Sequence, residues 1–126
     1  MAVSKSKIET RNARCVGPTK PAENLDHLRE RLRFQPELED LAEFFTLAGN
    51  DTRLKIIYLL KEAGEVCVCD IAEILEISVS AVSQQLSKLK AFGIVKARRD
   101  SQTMYYGLAA HPLLPTVIAL FNQSGG

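Results

Sequence analysis

Apolar residues recur at helical spacing along most of this chain. Leu25, Leu28 and Leu32, with Arg29, Glu30, Arg31 and Arg33 between them, predict a short amphipathic helix. Pro36 sits at a favoured first-turn position and opens a second helix, whose stripe of Leu38, Leu41, Phe44, Phe45 and Ala48 stops at Gly49. Asn50 and Asp51 are N-cap residue types for a third helix, with Leu54, Ile57, Tyr58 and Leu60 apolar and Gly64 at its end. A shorter helix is expected from Val66 to about Leu75. Ser78 caps the next one, which turns Val82, Leu86 and Leu89 inward and stops at Gly93.

After Gly93 the pattern changes. Residues 94–99 and 103–108 are rich in β-branched and aromatic types, and Asp100-Ser101-Gln102 lies between them, which predicts a two-stranded hairpin. Pro112 then opens a closing helix through Val117, Leu120 and Phe121, and Ser124-Gly125-Gly126 frays from its end. A short helix, a turn and a second helix with a polar outer face form the layout of a helix-turn-helix, and a hairpin directly after it is the wing of a winged helix. The expected fold is mainly α (α+β), with residues 21–126 as one winged-helix DNA-binding domain. Residues 1–20 are polar and basic, without apolar periodicity, and are expected to form a flexible arm.

A chain of 126 residues has room for one domain, and its 46% hydrophobic and 25% charged residues are ordinary for a globular protein. No apolar run approaches the roughly 20 residues that span a bilayer. The N-terminal stretch has charges without an apolar core, unlike a secretory signal, so no membrane role and a cytoplasmic location are expected.

The net charge of +1 conceals a segregation along the chain. Residues 1–20 carry +4, residues 21–77 carry −7, and residues 78–126 carry +4 from Lys88, Lys90, Lys96, Arg98 and Arg99 against Asp100. Between Ile77 and Arg99 there is no acidic residue. A neutral protein whose bases are confined to one stretch can still offer a basic face to a polyanion.

The second helix of the pair is expected to show Ser80, Ser83, Gln84, Gln85, Ser87 and Lys88 outward. Neutral hydrogen-bonding side chains there suit base edges in the major groove, since amides and hydroxyls match their donors and acceptors. Ser78 and Ser80, near the positive end of the helix dipole, suit phosphate oxygens. Lys88 and the wing bases Arg98 and Arg99 supply charge, which sets affinity and salt dependence more than sequence choice. Double-stranded DNA is the expected partner. The competing readings are an ordinary solvated face and a winged helix used only for protein contacts. Enzyme chemistry is not expected, because phosphate loops, paired catalytic carboxylates and a Ser/His/Asp arrangement are lacking.

These residues also carry a family resemblance. The run Glu65-Val66-Cys67-Val68-Cys69-Asp70-Ile71-Ala72, the run Ser78-Val79-Ser80-Ala81-Val82-Ser83-Gln84-Gln85-Leu86, and then Leu89, Gly93, Val95, Arg98 and Tyr105-Tyr106 resemble the ArsR/SmtB family of bacterial repressors. Asp51-Thr52-Arg53-Leu54 resembles its helix start as well. The resemblance runs from about Leu38 to the C-terminus. It implies a homodimeric winged helix, dimerised through its first and last helices, that represses a metal-resistance or homeostasis operon from an inverted-repeat operator and is released by metal.

Three cysteines are too few for a disulfide scaffold and suit a buried thiol, a reactive thiol or a small thiolate site. Cys67 and Cys69 form a Cys-x-Cys pair at a helix start. Thiolates are soft ligands, and a helix N-terminus favours the thiolate form. Residues two apart lie on different faces of a regular helix, so both can hold one ion only where the first turn is irregular. The resemblance implies As(III), Sb(III), Cd(II), Pb(II) or Hg(II) as the ion. Where some members carry a third cysteine three residues on, this chain has Ala72, and the arm's Cys15 is the expected third ligand. The family's other site, near the final helix, needs more than His111, because the later stretch offers Gln123 and no second histidine. His111 is therefore expected at a helix start or on the surface, and His27 on the exposed first helix. A thiol redox switch, with Cys15 as partner, is the alternative use of the cysteines.

Overall fold

The computed structural model describes residues 17–124. These fall into two compact units, one ending at Pro36 and the other running from Glu37. The first unit contains α1 (Ala22–Arg33), none of whose residues is buried; Glu30–Arg33 and Asp26–Arg29 pair along its surface.

The second unit opens with α2 (Glu37–Ala48), whose first turn holds Glu37, Glu39 and Asp40 against the positive end of the helix dipole. Gly49 closes it: its N–H donates to the Phe45 carbonyl at 2.8 Å, and a Cβ there would lie 2.8 Å from that same oxygen. Asn50 then caps α3 (Asp51–Ala63), with its side chain accepting from the Arg53 N–H at 3.0 Å. Gly64, at φ 86°, turns the chain out of α3.

The next segment departs from the helix expected at Val66. Residues Glu65–Cys67 form a short strand, β1, paired antiparallel with the later hairpin, and the helix α4 begins at Val68 and runs to Leu75. The wing hairpin, β2 (Val95–Asp100) and β3 (Thr103–Leu108), thus becomes a three-stranded sheet in the order β1-β3-β2. The sheet places Val66 opposite Tyr106 and Cys67 opposite Tyr105.

A tight turn joins α4 to α5 (Val79–Ala91). Glu76 adopts the left-handed conformation at φ 59°, and the Ile77 N–H reaches back to the Ala72 carbonyl at 3.2 Å. Ser78 caps α5, its hydroxyl accepting from the Ala81 N–H at 3.0 Å. Gly93, at φ 81°, ends the helix in the same manner, with the Ile94 N–H on the Leu89 carbonyl at 2.9 Å. The hairpin turns on Ser101 and Gln102, with Asp100 opposite Thr103.

The closing helix α6 (Leu114–Ser124) starts two residues after Pro112, which lies in the preceding turn. The core is one cluster: Phe44 of α2, Ile56, Ile57 and Leu60 of α3, Ile71 of α4, Val82, Leu86 and Leu89 of α5, Ile94 and Val95 at the start of the hairpin, and Val117 of α6. Among the described residues no helix is long and apolar enough to cross a membrane.

Candidate DNA interface and thiol pair

The spacing of Val82, Leu86 and Leu89 fixes which face of α5 is free. All three are fully buried, so Ser80, Ser83, Gln84, Ser87 and Lys88 lie exposed on the remaining arc. None of these side chains is acidic, and they follow directly from the capped N-terminus of the helix. Ser78 is already engaged by its cap hydrogen bond. Its hydroxyl therefore holds the helix start in place.

Gln85 lies differently from the outward position its neighbours suggest. It flanks the buried stripe and is half-buried, and its Oε1 accepts a hydrogen bond from Arg53 Nε of α3 at 2.7 Å. The same guanidinium donates through Nη1 to the Leu47 carbonyl at 2.9 Å. That carbonyl belongs to the last turn of α2, which lacks intrahelical partners, so Arg53 caps α2 while gripping α5. Arg53 belongs to the helix-start segment Asp51 to Leu54, but its partner 32 residues onward gives no local signal.

The wing arginines part company. Arg99 is exposed, opposite Met104 in the hairpin. Arg98 lies opposite Tyr105, with its guanidinium 4.8 Å from that ring's centre, and forks onto the Glu65 carboxylate at 2.9–3.1 Å. The hydrogen bonds and charge of Arg98 hold the Glu65 carboxyl below the usual glutamate range, and Glu65 raises the Arg98 guanidinium in return. Glu65, Cys67, Tyr105 and Arg98 share one face of the sheet by register.

Cys67 is half-buried and Cys69 exposed, both as free thiols. Cys67 stands outside α4, with extended backbone at φ −79° and ψ 157°, while Cys69 is in the helix's first turn. The irregularity that one shared ion requires is thus built into the junction of β1 with α4, and the donor set fits a thiophilic ion. Both cysteines line one cleft of about 280 Å³. Its other walls are Val79 and Ser83 of α5 and Gln102, Thr103 and Met104 of the wing. Among the described residues no group of three or more His, Cys, Asp or Glu side chains is placed to hold a metal. Cys15 lies outside the described residues.

His111 is half-buried between two phenylalanine rings, 5.2 Å from Phe44 and 5.8 Å from Phe92 by ring centres. Its Nδ1 accepts from the Leu113 N–H at 3.1 Å, so it shapes the turn into α6. His27 is exposed on α1.

Comparison with known proteins agrees with this architecture. The sequence profile of the "bacterial regulatory protein, arsR family" matches residues 50–97, from the cap of α3 into β2. A cadmium resistance transcriptional regulatory protein CadC homolog of Staphylococcus aureus is 45% identical over 69 residues, covering 55% of this chain and 57% of that protein. The aligned part of this chain thus spans little more than half the length of that cadmium regulator. A transcriptional repressor SmtB homolog of Synechocystis is 38% identical over 91 residues, covering 68% of each chain. Among solved structures, the homodimeric winged helix-turn-helix DNA-binding domain of Mb0332 from Mycobacterium bovis superposes with a TM-score of 0.64 at 27% identity, covering 74% of this chain and 85% of that one.

Proposed function

We propose that this chain, which belongs to the ArsR family of bacterial regulatory proteins, is a metal- or metalloid-responsive repressor that grips operator DNA as a homodimer and releases it when a soft ion reaches Cys67 and Cys69. One observation carries the reading. The two cysteines share a cleft with Ser83 of the recognition helix and with Gln102 and Thr103 of the wing, so whatever fixes them acts on both DNA-reading elements. The similarity to a cadmium resistance regulator supports a soft ion as the inducer.

Ser80, Ser83 and Gln84 read base edges in the major groove, where hydroxyl and amide groups pair with base donors and acceptors. Lys88 and Arg99 contact phosphates, and Ser78 sets the helix start beside them. Arg98 reaches DNA only by sharing or leaving Glu65. Residues 21–126 act together as the DNA-binding and dimerisation domain, with residues 1–20 as an arm. The homodimer presents two recognition helices to an inverted repeat, in the cytoplasm where the DNA lies.

As thiolates, Cys67 and Cys69 hold the ion, with Cys15 as the third donor where three are needed. Soft thiolate ligation suits As(III), Sb(III), Cd(II), Pb(II) and Hg(II). Linkage then sets the terms. The factor by which the ion weakens DNA binding equals the factor by which DNA weakens ion binding, and couplings of about 1–3 kcal/mol give roughly 5–150-fold release.

The test is fluorescence anisotropy of the reduced protein on DNA from upstream of its own gene, with As(III), Cd(II), Pb(II), Hg(II) and Zn(II) titrated in. One ion should release the wild type but neither Cys67→Ser nor Cys69→Ser. A Cys15→Ser variant that also resists places the arm thiol in the site. DNA binding that no ion relieves would remove the sensor reading and leave a winged helix whose thiols serve redox or structure.

A further inference from the structure

The recognition helix carries one glutamine whose side chain is already engaged within the protein. Gln85 follows Gln84 in sequence, yet the two occupy different arcs of α5. Gln84 is exposed, whereas Gln85 is half-buried beside the stripe of Val82 and Leu89. A guanidinium has only N–H donors and no acceptor, so the Gln85 atom that meets Arg53 Nε at 2.7 Å is its carbonyl oxygen. Bidentate recognition of adenine needs that oxygen to accept from the base's N6 while the amide nitrogen donates to N7. With one lone pair of that oxygen taken by Arg53 and the side chain half-buried and turned toward α3, Gln85 is poorly placed to offer the adenine pairing.

The other end of the contact says what Arg53 does instead. Its Nη1 donates to the Leu47 carbonyl at 2.9 Å, at the end of α2, and its own backbone N–H is held by the Asn50 cap at 3.0 Å. One partly buried side chain thus joins the end of α2, the first turn of α3 and the middle of α5. Apolar contacts of Val82, Leu86 and Leu89 press α5 onto the core, but such contacts are non-directional and leave a helix free to roll. A charge-assisted hydrogen bond with a fixed fork is directional.

We propose that Arg53 and Gln85 are positioning residues that set the roll of the recognition helix, and that Gln84 rather than Gln85 is the glutamine that reads bases. The inference rests on the reading of α5 as the DNA-reading helix and adds to it an internal tether. Selectivity for the operator over unrelated DNA then depends on the tether, while attraction to phosphates does not.

The discriminating variants are Gln85→Glu and Gln85→Leu, alongside Gln84→Glu, Arg53→Met and the double variant Arg53→Met/Gln85→Leu. Operator and scrambled-duplex affinities are measured on the full chain, with thermal unfolding of each variant as a check on folding. Glutamate at 85 keeps an oxygen for Arg53, so it should hold operator affinity within about twofold of wild type. Leucine at 85 loses the tether and should lower the ratio of operator to scrambled affinity about tenfold, the scale of one charged hydrogen bond. Glutamate at 84 should lose operator binding outright, since a carboxylate cannot donate to a base and repels phosphate. The double variant should be no worse than Arg53→Met alone, because that single change already removes the contact with Gln85 along with the one to the Leu47 carbonyl.

A folded Gln85→Glu protein that loses the operator as fully as Gln84→Glu would overturn the inference and make Gln85 a base reader. Additive losses in the double variant would overturn it too, by showing that the two residues act separately. A wild type with no salt-dependent DNA binding would instead remove the functional reading on which the tether depends, a result distinct from the other two.

Discussion

At the scale of single residues, the decisive question is which charged and polar groups are already spoken for. Arg98 and Arg99 are neighbours in sequence and lie on opposite faces of β2, so only one of them meets Glu65. An exposed ion pair adds little stability, yet it does set where a charge points. Glu65→Gln should free Arg98 for a phosphate. Operator binding of the variant should tighten at low salt, and the log–log salt dependence should steepen by about one per protomer. Arg99→Ala and Lys88→Ala should each make the slope shallower by about one per protomer. Titrating affinity against salt from low to moderate ionic strength measures all three. An unchanged slope in Glu65→Gln would mean that Arg98 stays on Tyr105, where its guanidinium already packs.

At the scale of elements, the caps explain why the helices begin and end where they do. Ser78 is the cap side chain between the α4–α5 turn and the recognition helix, and it takes the Ala81 N–H. Ser78→Ala should cost about 1 kcal/mol of unfolding free energy, with fraying concentrated in the first turn of α5. Gly49→Ala should cost about 1–3 kcal/mol, because its Cβ would press on the Phe45 carbonyl oxygen at 2.8 Å. Chemical denaturation checks both, and hydrogen exchange locates the first. These same caps are legible in the sequence. Asn50, Gly64, Ser78 and Gly93 are residue types with one dominant local use, and the stripe of Val82, Leu86 and Leu89 is long enough to show its period. The strand β1 is not legible there. Three residues, Glu65–Cys67, carry no period, and they become a strand only by pairing with Tyr105–Gly107, far along the chain. The start of α6 slips for a related reason: His111 accepts the Leu113 N–H and holds Pro112 in a turn, delaying the helix to Leu114. In the candidate site, the cysteines and the exposed serines stand out by type and spacing. The tie of Gln85 to Arg53 and of Arg98 to Glu65 does not, because each partner lies more than thirty residues away.

At the scale of the whole molecule, the distribution of charge and of apolar surface argues for two copies on one duplex. The stretch from Val79 to Arg99 holds only basic charges, while acids crowd the helices before it. A single recognition helix of this length spans one half-site, and one half-site of polar contacts rarely gives operator-grade affinity by itself. Apolar side chains lie open where a second copy could cover them. On α1, Leu28 is 48% and Leu32 64% exposed. The family resemblance implies that the first helix takes part in the dimer contact. A carboxylate on this apolar stripe of α1, once a second copy covers it, would have to be buried unpaired, a cost of several kcal/mol that no rim contact repays. Leu32→Glu should therefore shift the protein from dimer to monomer in sedimentation at micromolar concentration, while each monomer stays folded because Leu32 contributes nothing to the buried core. Operator affinity should fall far more than affinity for a lone half-site, since losing the partner removes the second, effectively intramolecular contact. A folded Leu32→Glu protein that remains a dimer and keeps operator affinity would place Leu32 outside the dimer contact.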